Sequence, residues 1–102
     1  MARRARKPLR VCVVTGTRAE YGLLRAVMAA LKRDRAFALS VVASAMHLAP
    51  EFGLTYREIE ADGFRIDAKL DMLLAGDTAA AAAKSMGVGV VGFVDVFQRL
   101  AP

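Results

Sequence analysis

The chain has 102 residues, enough for one domain with a single hydrophobic core, and its 56% apolar and 25% charged residues are typical of a packed globular protein. The formal net charge is +5, but the first ten residues hold five basic and no acidic side chains, and from residue 11 onward ten basic residues balance ten acidic ones. Four of these five charges belong to a predicted disordered tail over residues 1–8 and the fifth is Arg10, so the net charge does not indicate specific nucleic-acid binding by the remaining domain.

The first predicted unit is a strand, a helix and a second strand. The apolar run Val-Cys-Val-Val predicts a buried strand over residues 10–15, and residues 37–43 predict another. Between them, residues 19–33 predict a helix whose apolar stripe lies on the sheet. That stripe consists of Leu23, Leu24, Val27, Met28 and Leu31. A unit of this kind has parallel strands and a right-handed crossover.

The turn between the first strand and this helix is the first candidate binding site. Thr17 and Glu20 have the spacing of a capping box, which places them at a helix N-terminus, where anions are stabilised. Arg18 lies in the same turn, and its guanidinium suits either a phosphate or carboxylate ligand or a surface ion pair. The spacing matches neither the dinucleotide-binding glycine pattern nor a phosphate-binding P-loop.

A second candidate segment follows the second strand. His47, the single histidine, is predicted to lie in a loop at the carboxyl end of that strand. In an open parallel sheet this is the edge that carries the Arg18 turn, so both residues are predicted to line one crevice. Imidazole there can donate to a phosphate or transfer a proton, although a lone histidine in a loop also often has a purely structural role.

The rest of the chain predicts two more helices and one more strand. A helix over residues 52–62 ends at Gly63, residues 64–67 form a third strand, and residues 68–76 form a connection. Asp77 caps a last helix over residues 78–100. Its predicted buried face consists of Met86, Val90, Phe93, Val94 and Phe97. Gly87, Gly89 and Gly92 predict close approach of this helix to the sheet, another helix or a ligand.

Three segments of the sequence are considered together: VCVVTGTRAEYG (residues 11–22), MHL with EFGLTY (residues 46–48 and 51–56) and AKSMG (residues 83–87). Together they resemble the hydrolysing UDP-N-acetylglucosamine 2-epimerases of sialic-acid biosynthesis. The resemblance implies an α/β fold. Residues 9–102 would form a truncated, Rossmann-like N-terminal domain, a three-layer parallel sheet ordered β-α-β-α-β-α, within a two-domain glycosyltransferase-B-like protein.

The same resemblance implies a reaction and site residues. UDP-N-acetylglucosamine and water would give UDP and N-acetylmannosamine by elimination and hydration, with no cofactor or metal. Arg18, Ala19, Glu20 and Tyr21 would bind UDP, and His47 would lie at the sugar as a catalytic residue. The family's catalytic acids follow the last residue of this sequence, so the 102-residue fragment is expected to be inactive.

Other expectations concern partners and location. An unpaired sheet edge predicts a homo-oligomer, and a non-catalytic α/β module that binds or self-associates is the alternative function. Cys12 lies in a predicted strand and has no intrachain cysteine partner. No convincing signal or membrane segment is recognised, so we expect a cytoplasmic protein without membrane contact.

Overall fold

The computed structural model describes residues 7–49, 53–72 and 78–102. Its elements in chain order are β1 (Leu9–Thr15), α1 (Arg18–Arg33), β2 (Phe37–Ser44), a 3₁₀ turn (Ala45–Leu48), α2 (Tyr56–Ala61), β3 (Ala68–Leu70) and α3 (Ala79–Leu100). The first three elements lie within two residues of their predicted bounds. Residues 1–6 of the predicted tail and the predicted Asp77 cap fall outside the described residues.

The three strands form one parallel sheet in the order β1-β2-β3. Leu9 pairs with Phe37 and Thr15 with Ala43, so β1 is paired with β2 along its whole length. Because the strands are parallel, Thr15, Ser44 and Leu70 end them at the same edge of the sheet. The predicted α/β, Rossmann-like arrangement is confirmed.

The core lies between one face of the sheet and the helices α1 and α2. Its buried members are Tyr21, Met28, Val41, Ala43, Ile59 and Phe64. Val41 and Ala43 alternate along β2 with Val42 and Ser44, which therefore point to the opposite face. Register pairs Ser44 with Leu70, so Leu70 also belongs to that opposite face.

Helix α3 packs on the opposite face and completes a third layer. A Cβ atom added at Gly89 would lie within 3.0 Å of two Met72 side-chain atoms, and one at Gly92 would overlap the Leu70 side chain. These two glycines thus permit the predicted close approach. Gly87 does not take part in it, because a Cβ there would meet nothing within 4 Å.

The predicted buried face of α3 is wrong. Its buried residues are Ser85 and Gly89, whereas Met86 and Val90 are 67% and 68% exposed. We call Met86, Val90, Val94 and Phe97, all exposed, the apolar face of α3. The helix approaches the sheet through its small residues, and this turns the large ones outward. Among the described residues, α3 alone is long and apolar enough to cross a membrane, judged by length and hydropathy only.

The apolar stripe of α1 is only partly buried. Met28 is fully buried and Leu24 is half-buried against the core, as predicted, but Leu23 is 85% and Val27 54% exposed. The helix contacts β1 and β2 through a narrow face. Leu23 and Val27 therefore lie beside that contact and not within it.

The third strand is displaced from its predicted position. It spans Ala68–Leu70, within the predicted connection, and residues 64–67 are not part of the sheet. The backbone N–H of Val41 donates to the Asp67 carboxylate at 2.8 Å, and the Asp67 N–H donates to the Val41 carbonyl at 2.8 Å. The Asp67 carboxylate accepts the Val41 N–H, which in a regular ladder would donate to a backbone carbonyl of the neighbouring strand. Regular pairing therefore begins only after Asp67.

The ends of the other two helices also differ in part. Helix α2 begins at Tyr56, later than predicted: residues 53–55 are described and are not helical, and residue 52, the predicted start, lies outside the described residues. Gly63 follows α2 with φ +91°, the left-handed conformation predicted for it. At the start of α3, the Thr78 hydroxyl accepts a hydrogen bond from the Ala81 N–H at 3.1 Å, so Thr78 is the N-cap.

Candidate functional site

The N-terminus of α1 has the predicted capping box. The Thr17 hydroxyl accepts from the Glu20 N–H at 3.1 Å, and the Glu20 carboxylate accepts from the Gly16 N–H at 2.7 Å. Glu20 therefore has the capping role that its spacing predicted. Arg18 and Ala19 form the first turn of the helix, whose N–H groups have no acceptor within the helix itself.

The turns that follow β1 and β2 are joined directly. The Met46 N–H donates to the Gly16 carbonyl at 2.9 Å, and the Ser44 hydroxyl donates to the Thr15 carbonyl at 3.3 Å. Ala45 adopts φ +51°, a left-handed conformation uncommon for alanine, at the start of the 3₁₀ turn. The two predicted rim segments thus form one hydrogen-bonded unit at the carboxyl edge.

His47 belongs to this unit but is buried beneath it. The side chain is fully buried, its Nε2 lies 2.9 Å from the Thr15 hydroxyl, and its Nδ1 lies 2.9 Å from the Thr55 hydroxyl. Its ring also meets the Tyr21 ring edge-on at 6.3 Å. Burial lowers the His47 pKa, against a smaller opposing effect of the Glu20 carboxylate. This differs from the open rim expected from the sequence, because neither ring nitrogen faces solvent.

Arg18 is exposed at the start of α1 and forms an ion pair with α2. Its Nε lies 2.9 Å from an oxygen of Glu58, and the two side chains are 72% and 45% exposed. Of the two alternatives left open by the sequence, the structure contains the surface ion pair. Such an exposed pair does not exclude anion binding, because its contribution to stability is small.

Tyr21 packs its ring edge-on against His47 and contacts the end of α2 with its hydroxyl. Its hydroxyl donates to the Asp62 carboxylate at 2.5 Å, and the Arg25 guanidinium lies 3.5 Å from the same carboxylate oxygen. Burial and Asp62 both raise the Tyr21 pKa, so the phenol remains a hydrogen-bond donor at neutral pH.

A groove of about 320 Å³ runs between α1 and α2. It is lined by Arg18, Tyr21, Gly22, Arg25, Glu58, Ala61 and Asp62. Sequence reasoning missed the contributions of Arg25, Glu58 and Asp62. Their signal is the spacing of two basic residues seven apart on α1 and of two acidic residues four apart, one on α2 and one at its C-cap, which gives two complementary pairs of charges. Within the described residues, no three His, Cys, Asp or Glu side chains are grouped so as to hold a metal ion.

The fold and the site together define a Rossmann-like α/β protein whose first helix begins, with an exposed arginine, at the carboxyl edge of a parallel sheet. A family model described as UDP-N-acetylglucosamine 2-epimerase matches residues 29–102, and the chain belongs to this family.

Curated relatives agree with the family match. The chain is 42% identical over 93 residues to the GDP/UDP-N,N'-diacetylbacillosamine 2-epimerase (hydrolyzing) of Campylobacter jejuni, which covers 91% of this chain and 24% of the relative. It is 38% identical to the UDP-N,N'-diacetylbacillosamine 2-epimerase (hydrolyzing) of Legionella pneumophila, and this match covers 91% of the chain and 25% of the relative. The chain is 31% identical to the polysialic acid biosynthesis protein P7 of Escherichia coli, and this match covers 88% of the chain and 23% of the relative.

The extent of these matches bears on the site. The family model begins at residue 29, near the end of α1, and does not include Arg18 to Tyr21. The match to the Campylobacter jejuni relative covers 93 of the 102 residues, leaves only nine outside it, and so includes Arg18 through His47. The chain spans about a quarter of the length of the curated relatives it matches.

Proposed function

We propose that this chain supplies the UDP-binding turn of a hydrolysing UDP-sugar 2-epimerase. The observation that carries the proposal is the exposed Arg18 at the capped N-terminus of α1, at the carboxyl edge of the sheet. Only Nε of Arg18 is engaged by Glu58, and the guanidinium has two further NH₂ groups suited to a diphosphate. The helix N-terminus adds a favourable electrostatic field for the same anion.

The neighbouring residues are assigned complementary parts. Ala19 belongs to the first turn of α1, where a small side chain leaves the backbone accessible to a ligand. Glu20 holds the turn by capping, and Tyr21 anchors α1 to α2 through Asp62. We assign UDP binding to these residues as a group, with Arg18 as the direct phosphate ligand.

The proposed substrate of the whole protein is a UDP-linked 2-acetamido sugar, converted by elimination of UDP and hydration to the 2-epimeric free sugar. A diacetamido sugar is favoured, because the relatives at 42% and 38% identity are named for diacetylbacillosamine. UDP-N-acetylglucosamine, giving N-acetylmannosamine, is the second candidate, supported by the family description and by a relative of that name in Neisseria meningitidis at 29% identity over 56 residues.

We also propose that the chain self-associates through the apolar face of α3. That face carries four exposed apolar side chains and no charged one, and such surfaces are typical of protein interfaces. Attachment of the helix to β3 through Gly89 and Gly92 favours a protein partner over a membrane. A cytoplasmic, homo-oligomeric protein without specific nucleic-acid binding is consistent with this proposal. Self-association without catalysis is the alternative function, favoured by the same face.

Calorimetry with UDP at low salt tests the nucleotide site. We expect millimolar or tighter binding by the 102-residue chain and its loss in Arg18→Ala. Arg35→Ala is the matched control, since Arg35 is an exposed arginine in the turn after α1 and its loss changes the net charge equally. Equal weakening by both substitutions would mean that UDP responds only to net charge and would refute the assignment of Arg18.

A further inference from the structure

The fully buried His47 connects three segments that begin or end at the carboxyl edge of the sheet. Thr15 is the last residue of β1, His47 lies in the turn after β2, and Thr55 immediately precedes α2. We call these three residues the His47 cluster. Both ring nitrogens of His47 lie 2.9 Å from a threonine hydroxyl, so the cluster is a continuous hydrogen-bonded chain.

The distances favour one tautomer of the imidazole. The Thr15 hydroxyl lies 3.4 Å from the Thr17 carbonyl, and when it donates there its oxygen can accept from the His47 Nε2–H at 2.9 Å. Nδ1 is then unprotonated and accepts from the Thr55 hydroxyl. A neutral imidazole with its hydrogen on Nε2 satisfies every member of the cluster, and burial favours the same uncharged form.

We propose that His47 is a positioning residue: it fixes the N-terminus of α1 relative to that of α2 and thereby holds Arg18 in place for phosphate. This inference rests on the proposed UDP site. Through Thr15 and Thr17, His47 holds the turn that precedes Arg18. Through Thr55, it holds the start of the helix that carries Glu58, the partner of Arg18.

The groups that surround His47 are consistent with this role. The Glu20 and Glu58 carboxylates act on it electrostatically from α1 and α2, and the Tyr21 ring packs edge-on from α1. Neither carboxylate is hydrogen-bonded to the imidazole, whose two nitrogens are taken by Thr15 and Thr55. The arrangement therefore orients the turn without presenting a nitrogen to a bound sugar.

Nuclear magnetic resonance of the unsubstituted chain tests the tautomer first. Because His47 is the single histidine, ¹⁵N-labelled histidine gives the signals of this residue alone. We expect a protonated Nε2 and an unprotonated Nδ1 at neutral pH. Ring-nitrogen signals of His47 that do not change in Thr55→Val would show that the imidazole is not bonded to Thr55, and would overturn the proposal without any reference to UDP.

Substitution of Thr55 tests the positioning role. Thr55→Val removes the hydroxyl at nearly constant shape, and Thr55→Ser keeps it. We expect Thr55→Val to weaken UDP binding about tenfold, through loss of one partly buried hydrogen bond, and Thr55→Ser to bind nearly as the unsubstituted chain does. The backbone amide signals of Gly16 and Glu20, which report the capping box, should shift in the valine variant only.

Ile59→Val is the control for simple loss of stability, because Ile59 is a buried core residue of α2 outside the cluster. UDP affinity and capping-box signals that respond equally to Ile59→Val and Thr55→Val would refute the positioning role. If the unsubstituted chain binds no UDP, the proposed function fails. The His47 ring-nitrogen signals and the Gly16 and Glu20 amide signals, compared between the unsubstituted chain and Thr55→Val, still decide whether His47 fixes the turn.

Discussion

The glycines of α3 allow a comparison in which one substitution has opposite expected effects at two positions. In an exposed helix interior, Gly→Ala stabilises by about 0.5–1 kcal/mol, because glycine loses more backbone entropy on folding. At Gly87 the added Cβ meets nothing within 4 Å, so the full gain applies. For a domain of this size, that gain raises the melting temperature by about 2–8 °C.

At Gly92 the same methyl group enters an occupied space. It would overlap Leu70 Cδ1 and lie 3.4 Å from both Cδ2 and Cγ of Leu70. Rotation of one methyl group does not relieve contacts with three atoms of a branched side chain, so the overpacking cost of about 1–3 kcal/mol outweighs the entropic gain. We expect Gly92→Ala to lower the free energy of unfolding by up to about 2 kcal/mol.

Gly89 provides an intermediate case. The atoms that a Cβ would meet are Sδ and Cε of Met72, at the end of a flexible side chain, so part of the clash can be relieved. Urea unfolding followed by circular dichroism should rank stability as Gly87→Ala, then Gly89→Ala, then Gly92→Ala. If Gly87→Ala and Gly92→Ala both stabilise, α3 does not pack on β3 as described.

Two further predictions concern pH and association. Burial holds the His47 pKa below its ordinary value of 6.5, so the unfolded chain binds a proton at higher pH than the folded chain does. The free energy of unfolding should therefore fall as the pH is lowered through 6.5. Urea midpoints that are constant or rise as the pH is lowered from about 7 to 5.5 would contradict this prediction. If the apolar face of α3 mediates association, Val90→Glu should reduce the mass measured by sedimentation, whereas Val88→Glu, on another side of α3, should not. Equal masses for the two variants would exclude this face as the interface between copies.

The first half of the fold was predictable because its signals are local. The apolar run before Thr15, the capping residues Thr17 and Glu20, and the helical spacing of α1 all act over a few residues. The helix start was placed within one residue of Arg18, and its end at Arg33 was correct. Short-range patterns suffice where the capping hydrogen bonds form within the segment itself.

The orientation of α3 was not predictable from the same kind of pattern. Large apolar residues at helical spacing predict a buried face, and here that rule selected Met86 and Val90, which are exposed. The glycines correctly predicted close approach at Gly89 and Gly92, but they also determine which side approaches. Only the positions of Leu70, at the end of β3, and Met72, just after it, reveal that the small residues face inward.

The candidate site also has one part that was predictable from the sequence and one part that was not. Its capping box follows from a four-residue spacing, whereas the Arg18–Glu58 and Tyr21–Asp62 contacts join residues 40 and 41 positions apart. No single-segment pattern gives the relative placement of α1 and α2 on which those contacts depend. His47 was placed at the correct edge, but its burial results from Thr15 and Thr55 closing around the ring.

The Arg18–Glu58 ion pair is compatible with a phosphate site for an energetic reason. Exposed pairs of this kind contribute about 0–1 kcal/mol, whereas hydrogen bonds to charged groups contribute about 1.5–3 kcal/mol each. A diphosphate that receives two such bonds from the Arg18 NH₂ groups therefore gains more than loss of the Glu58 contact costs, even if that contact breaks entirely. Glu58 would then keep the guanidinium near the N-terminus of α1 in the absence of nucleotide, and the His47 cluster would set where that N-terminus lies.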